Sequence, residues 1–138
     1  MFEYLEHTAD IKIRVKSNNE FELYSDIVES VNDSIFSKKF KKGERKKELT
    51  IESKTKDQLI HDFIEELVYI SNFDHYKTRL IEADIEEKKN KFVLECKLDL
   101  YKAKKEDYKV EVKAVSFNII YKEDPKTNEM VCEFVLDI

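Results

Sequence analysis

Residues 92–100 read Phe92-Val93-Leu94-Glu95-Cys96-Lys97-Leu98-Asp99-Leu100, and residues 130–138 read Met130-Val131-Cys132-Glu133-Phe134-Val135-Leu136-Asp137-Ile138. In both, an apolar residue recurs at every second position, which puts one set of side chains on a single face of a strand. Two strands, each with one face against a core, follow from that period. Weaker alternation predicts further strands over residues 10–16, 47–53 and 79–86. Residues 108–121 change parity, from Tyr108, Val110 and Val112 to Val115, Phe117, Ile119 and Tyr121, which predicts a bulged strand or one buried on both faces. The turn signal Glu123-Asp124-Pro125-Lys126-Thr127-Asn128 predicts a hairpin loop before the last strand.

Two stretches follow the helical period instead. Tyr24, Ile27, Val28, Val31 and Ile35 lie on one face from about Glu20 to Phe36, with Asn18 or Asn19 placed to accept the first free N–H groups. Thr55-Lys56-Asp57-Gln58 is a capping-box pattern, followed by Leu59, Ile60, Phe63, Leu67 and Ile70 on one face, with an end near Asn72. The order is strand, helix, strand, helix, then four strands, with no long polar linker to divide it. This is an α+β pattern: residues 1–138 as a single domain, two helices packed on a mostly antiparallel β-sheet.

Thirty acidic and twenty-five basic residues give a net charge of −5. Nine Phe and seven Tyr supply core material, so the chain folds without staples. It holds one glycine, Gly43, and one proline, Pro125. A site built from several glycines, such as a phosphate-cradling loop or a dinucleotide fingerprint, is therefore excluded. No segment approaches the roughly 20 apolar residues of a membrane span. Met1-Phe2-Glu3-Tyr4-Leu5-Glu6 lacks the basic end and apolar run of a secretion signal, so the expectation is a cytoplasmic protein with no membrane partner. Cys96 and Cys132 occupy apolar positions of alternating strands and read as small buried hydrophobes.

Four groups of residues are candidates for chemistry. Asp57, His61 and Glu65 are four apart on the second helix but do not form an HExxH pair, and read as a solvated face. His75 follows that helix and is placed to cap its carbonyls. Residues 38–47 carry seven basic side chains and one acid around Gly43. There Lys38, Lys39, Lys41 and Lys42 are candidate contacts for RNA or phosphate, weighed evenly against a loop kept soluble by charge. Finally, Asp10, Asp137 and the carboxylate of Ile138 would converge if the first and last strands meet. Three carboxylates repel unless a cation or protons neutralise them, and an all-oxygen set suits Ca²⁺ or Mg²⁺.

The same ends carry a resemblance. Glu6-His7-Thr8-Ala9-Asp10 resembles the EHTAD signature of the archease family, Glu111-Val112-Lys113-Ala114-Val115-Ser116-Phe117 resembles its EVKAVTY stretch, and Asp137-Ile138 matches its DI terminus. Asp62-Phe63-Ile64-Glu65-Glu66-Leu67 is similar to its W-L-N-E-L helix. The resemblance implies an archease-like fold and a non-enzymatic protein cofactor of the RtcB-type RNA ligase of tRNA splicing. Such a cofactor promotes guanylylation and multiple turnover of the ligase, with tRNA reached through the ligase complex. It also implies a site for calcium or another divalent cation at Asp10, Asp137 and Ile138. Asn118 and Ser116 stand where the family commonly has His and Thr, and Phe63 and Glu65 stand where it has Trp and Asn. His7 is expected to be buried, with a hydrogen bond that holds the Asp10 turn.

Two rivals remain from the residues alone. One is an RNA-binding or chaperone-like module that uses the basic loop. The other is a metal-dependent hydrolase using the same carboxylates, which ranks last because no general acid or base can be named.

Overall fold

The structure is a computed structural model that describes residues 1–6 and 9–138. The strands β1 (Phe2–Leu5) and β2 (Ile11–Ser17) precede helix α1 (Glu20–Ile35), strand β3 (Arg45–Ser53) and helix α2 (Lys56–Tyr69). Strands β4 (Tyr76–Lys88), β5 (Lys91–Lys102), β6 (Ala114–Val115), β7 (Ile120–Glu123) and β8 (Met130–Asp137) follow. All pairings between these strands are antiparallel, in two sheets. One sheet has the order β1-β2-β8-β6, with β7 also paired to β8, and the other has the order β3-β5-β4.

Both helices touch strands of both sheets. The apolar stripe of α1 buries Leu23, Tyr24, Ile27, Val28, Val31 and Ile35, and that of α2 buries Leu59, Ile60, Phe63, Ile64 and Leu67. The inner faces of the sheets supply Ile13, Val15, Leu94, Leu98, Phe134 and Leu136 to the same core. Phe63 meets Tyr24 edge to face, with ring centroids 5.0 Å apart. Burying a side chain of this kind contributes about 1.5–3 kcal/mol.

Side chains at the helix ends answer the free N–H groups. Asn19 caps α1, accepting from the Glu22 N–H at 2.8 Å, and Thr55 caps α2, accepting from the Gln58 N–H at 3.2 Å. Beyond Tyr69 the chain continues through one wide π turn, Ile70–Asp74. His75 ends it in the left-handed region, φ 60°, with its backbone N–H on the Ile70 carbonyl. The cap at His75 is thus made by the backbone; its side chain donates from Nδ1 to the Tyr108 hydroxyl at 3.0 Å, which itself donates to the Ser71 carbonyl at 2.6 Å. With so little glycine, other left-handed positions fall to Ala9, Asn90 and Asn128. Asn90 makes the two-residue β4–β5 hairpin, where asparagine tolerates a positive φ.

The structure corrects the expected long strand over residues 108–121. Only Ala114–Val115 and Ile120–Glu123 are strands there. The N–H of Lys109 instead bonds the last turn of α1 at the Ile35 carbonyl, and the Asn72 side chain donates to the Val112 carbonyl at 2.8 Å. The N–H groups of Lys113 and Ser116 reach Asp137 and Val135 of β8. The parity change marks a segment that leaves one set of partners for another. The short edge strand β1 was absent from the expectation: four residues with alternating exposure carry too little pattern to read.

Candidate functional site

The β2–β8 ladder pairs Ile11 with Leu136 at one end. Asp10 lies one residue before that pair and Asp137 one residue after it. Leu136 is buried, so alternation sends Asp137 to the outer face of the sheet; Asp10 lies in the bend just before β2. The backbone N–H of Ile138 points at Oδ1 of Asp10 at 3.5 Å, and the Asp137 carbonyl accepts from the Lys113 N–H at 2.7 Å. Three segments distant in sequence are therefore tied at one corner: the approach to β2, the end of β8 and the start of β6.

The donor set at this corner consists of hard oxygens, which fits a Ca²⁺ or Mg²⁺ ion and not a soft-ligand metal. Among the described residues neither Asp10 nor Asp137 has a cationic side chain within ion-pair distance. Among them, too, no three His, Cys, Asp or Glu side chains gather closely enough to hold a metal. Asp10 and Asp137 are thus the two carboxylate side chains carried by the segments that meet at this corner. Ala9, next to Asp10, holds φ 78°. That conformation costs a non-glycine residue about 1–2 kcal/mol, and it turns the chain into β2 here. The expectation for His7 falls outside the described residues.

The profile of the Archease protein family (MTH1598/TM1083) matches residues 2–138. The chain belongs to the archease family. It is 29% identical over 141 residues to "Protein archease" of Pyrococcus furiosus, covering 99% of this chain and 98% of that one. It is 27% identical to "Protein archease" of Methanosarcina barkeri, over 85% of this chain and 82% of that one. The fold matches the solution structure of Methanobacterium thermoautotrophicum protein 1598, with a TM-score of 0.81 and 19% identity, over 99% of this chain and 98% of that one.

The positions at which this chain departs from the archease motifs have distinct surroundings. Phe63 is fully buried, so replacement of the Trp is a core substitution. Glu65 and Asn118 are exposed. Of the helix face read as solvated, Asp57 and Glu65 are exposed, and the structure corrects the reading at His61. His61 is 3% exposed, and its ring lies against that of Phe117 at 4.8 Å between centroids. Its Nδ1–H donates to Asp62 at 2.9 Å, and Asp62 also accepts from Ser53 and Gln58, each at 2.8 Å. Burial pushes the Asp62 carboxyl up, but these three donors outweigh it and hold it below the usual carboxylate range. The other nitrogen, Nε2, is buried with no hydrogen-bond partner among the described residues, 4.0 Å from Glu65. The sequence signal for this arrangement was the His-Asp dipeptide on an otherwise apolar helix face, masked by the equal i, i+4 spacing to Asp57 and Glu65.

The basic segment is less loose than its charge implies. Glu44 donates its N–H to the Leu100 carbonyl at 2.8 Å. A Cβ at Gly43 would stand 2.5 Å from Cγ of Asp99, so a side chain there must displace the Asp99 carboxylate. Asp99 in turn holds Arg79 at 2.8 Å, whose guanidinium lies 4.8 Å over the Phe40 ring. Of the four candidate lysines, Lys38 and Lys39 line a cavity beside α1 and β4; Lys41 and Lys42 do not. No helix among the described residues is long and apolar enough to cross a membrane.

Proposed function

We propose that this protein is a cytoplasmic, non-enzymatic activator of an RtcB-type RNA ligase, promoting its guanylylation and multiple turnover. In this reading tRNA is met through the ligase complex. Asp10, Asp137 and the Ile138 carboxylate would hold a divalent cation, calcium in the first instance. The observation that supports this most is the end-to-end match to the archease family, together with the meeting of Asp10 and Ile138 at 3.5 Å. A cation bound there supplies charge neutralisation: it removes the repulsion among the carboxylates and fixes the corner where β2, β8 and β6 meet.

The chain's own residues prepare that corner. Ala9 turns the chain ahead of Asp10, the Ile138 N–H meets Oδ1 of Asp10, and Lys113 anchors Asp137 through the backbone. Exposed Phe117 belongs to the segment that leaves β6, so the corner and an apolar contact point are joined by two residues.

The test is ligase guanylylation and multiple-turnover RNA joining with and without this protein, in calcium and in chelator. Asp10→Ala, Asp137→Ala, and a chain extended beyond Ile138 should lose stimulation while keeping the fold. Full stimulation by all three sinks the cation site. The RNA-binding alternative predicts instead that neutralising Lys38, Lys39, Lys41 and Lys42 removes salt-sensitive RNA affinity.

A further inference from the structure

A cavity of about 370 Å³ lies between α1, the start of the basic segment and β4, and shares no residue with the Asp10 corner. Its size falls in the range of small-molecule sites, roughly 300–1,000 Å³. Lys77, only 2% exposed, lines it. The Lys77 ammonium lies 3.4 Å from Asp107 and 5.6 Å from the ring centres of Phe36 and Tyr101. Arg79 forms part of the wall with its guanidinium over Phe40, and Lys38 and Lys39 stand exposed at the rim.

The charges are unevenly committed. Lys77 and Arg79 each have one carboxylate partner, Asp107 and Asp99, and neither carboxylate lines the cavity. Lys38 and Lys39 form no ion pair among the described residues. Four cationic side chains thus line the space, while the acids on it, Glu29 and Asp33, sit on α1. Asp33 already accepts from the Tyr4 hydroxyl. A buried ion pair is weak evidence for stability, since an apolar pair of equal volume often serves as well. A lysine kept at the wall of a cavity is explained better by what enters the cavity.

We infer that this cavity binds the phosphoryl group of a phosphate ester, free or at the end of a nucleic-acid strand. Ammonium and guanidinium donors give phosphate oxygens charge-assisted hydrogen bonds. The volume exceeds that of the phosphate itself, and Glu29 on the α1 wall accepts from hydroxyls of the esterified alcohol. The inference is independent of the ligase reading, because its test uses this protein alone.

The experiment is an NMR titration of the full chain with adenosine 5′-monophosphate, with adenosine, and with a short oligoribonucleotide bearing a 5′-phosphate or a 5′-hydroxyl. Adenosine 5′-monophosphate should shift amides of residues 36–40 and 77–79 saturably and bind at least about tenfold more tightly than adenosine, the difference being the charged contacts. The double variant Lys38→Ala/Lys39→Ala should weaken it by about tenfold, and Lys77→Met should abolish it. Tighter binding of the 5′-phosphorylated strand than of both the 5′-hydroxyl strand and the mononucleotide assigns the ligand to a strand end. Equal or weaker binding assigns it to a free ester. Equal affinity for adenosine and its monophosphate overturns the inference. So does unchanged binding by the Lys38/Lys39 variant, whose substitutions are on the surface and leave the core intact.

Discussion

The rings of His61 and Phe117 lie face to face, 4.8 Å between centroids with planes 14° apart, so that a side chain 82% exposed covers one that is 3% exposed. Phe117→Ala should therefore cost more than a surface substitution. The loss of the stack predicts a drop of about 0.5–1.5 kcal/mol, read from the urea midpoint. An unchanged midpoint would show that the stack carries no stability.

Asp62 gives the pH dependence of the same region. Its carboxyl is held below the usual range in the folded state, and an unfolded Asp titrates near about 3.9. A depressed folded value contributes stability that is complete above the unfolded value and is lost as pH falls through the folded one. Asp62→Asn should cost about 1 kcal/mol at neutral pH, at the low end for a charged acceptor because the carboxylate is partly solvated. The deficit should shrink towards acid. Parallel stability curves for the two proteins from neutral pH to strong acid would contradict this.

Gly43 and Asp99 should behave as a coupled pair. Gly43→Ala displaces the Asp99 carboxylate from Arg79, a cost of about 0.2–1 kcal/mol, that of a partly exposed ion pair. In an Asp99→Ala background the same change meets no carboxylate and should cost little. A double-mutant cycle by urea denaturation measures the difference, and simple additivity would rule out the contact as the cause.

If Asp10, Asp137 and Ile138 hold calcium, adding the ion at about one hundred times its dissociation constant should stabilise the fold by about 2.7 kcal/mol. Chelator should reverse the gain, and Asp10→Asn should show none. Thermal unfolding in calcium and in chelator checks both. Equal gains in wild type and variant would place the ion elsewhere.

The legible parts of the sequence were those where one period and one set of partners held. Alternation through residues 92–100 and 130–138 became β5 and β8, each inside a ladder paired along both edges. The stripes ending at Ile35 and Ile70 became α1 and α2 because the residues on each stripe are buried. Residues 108–121 misled because hydrogen bonds to Ile35, Asn72 and β8 follow no period. The meeting of Asp10 with Ile138 was a matter of topology: it needed β2 beside β8, which the family resemblance implied and the residues alone left conditional. Burial of His61 was hidden for a further reason, since its cover comes from Phe117, far along the chain on an irregular segment.

The two cysteines lie one in each sheet, Cys96 on β5 and Cys132 on β8, and burial pushes their thiols up to about 11 and about 12. In the folded chain both are poor nucleophiles, and each becomes an ordinary thiol once its sheet opens. The protein thereby carries a natural reporter of opening in each half of its scaffold. Alkylation followed site by site over time would show whether the sheets come apart together or one before the other, and so whether the helices between them make one cooperative unit or two.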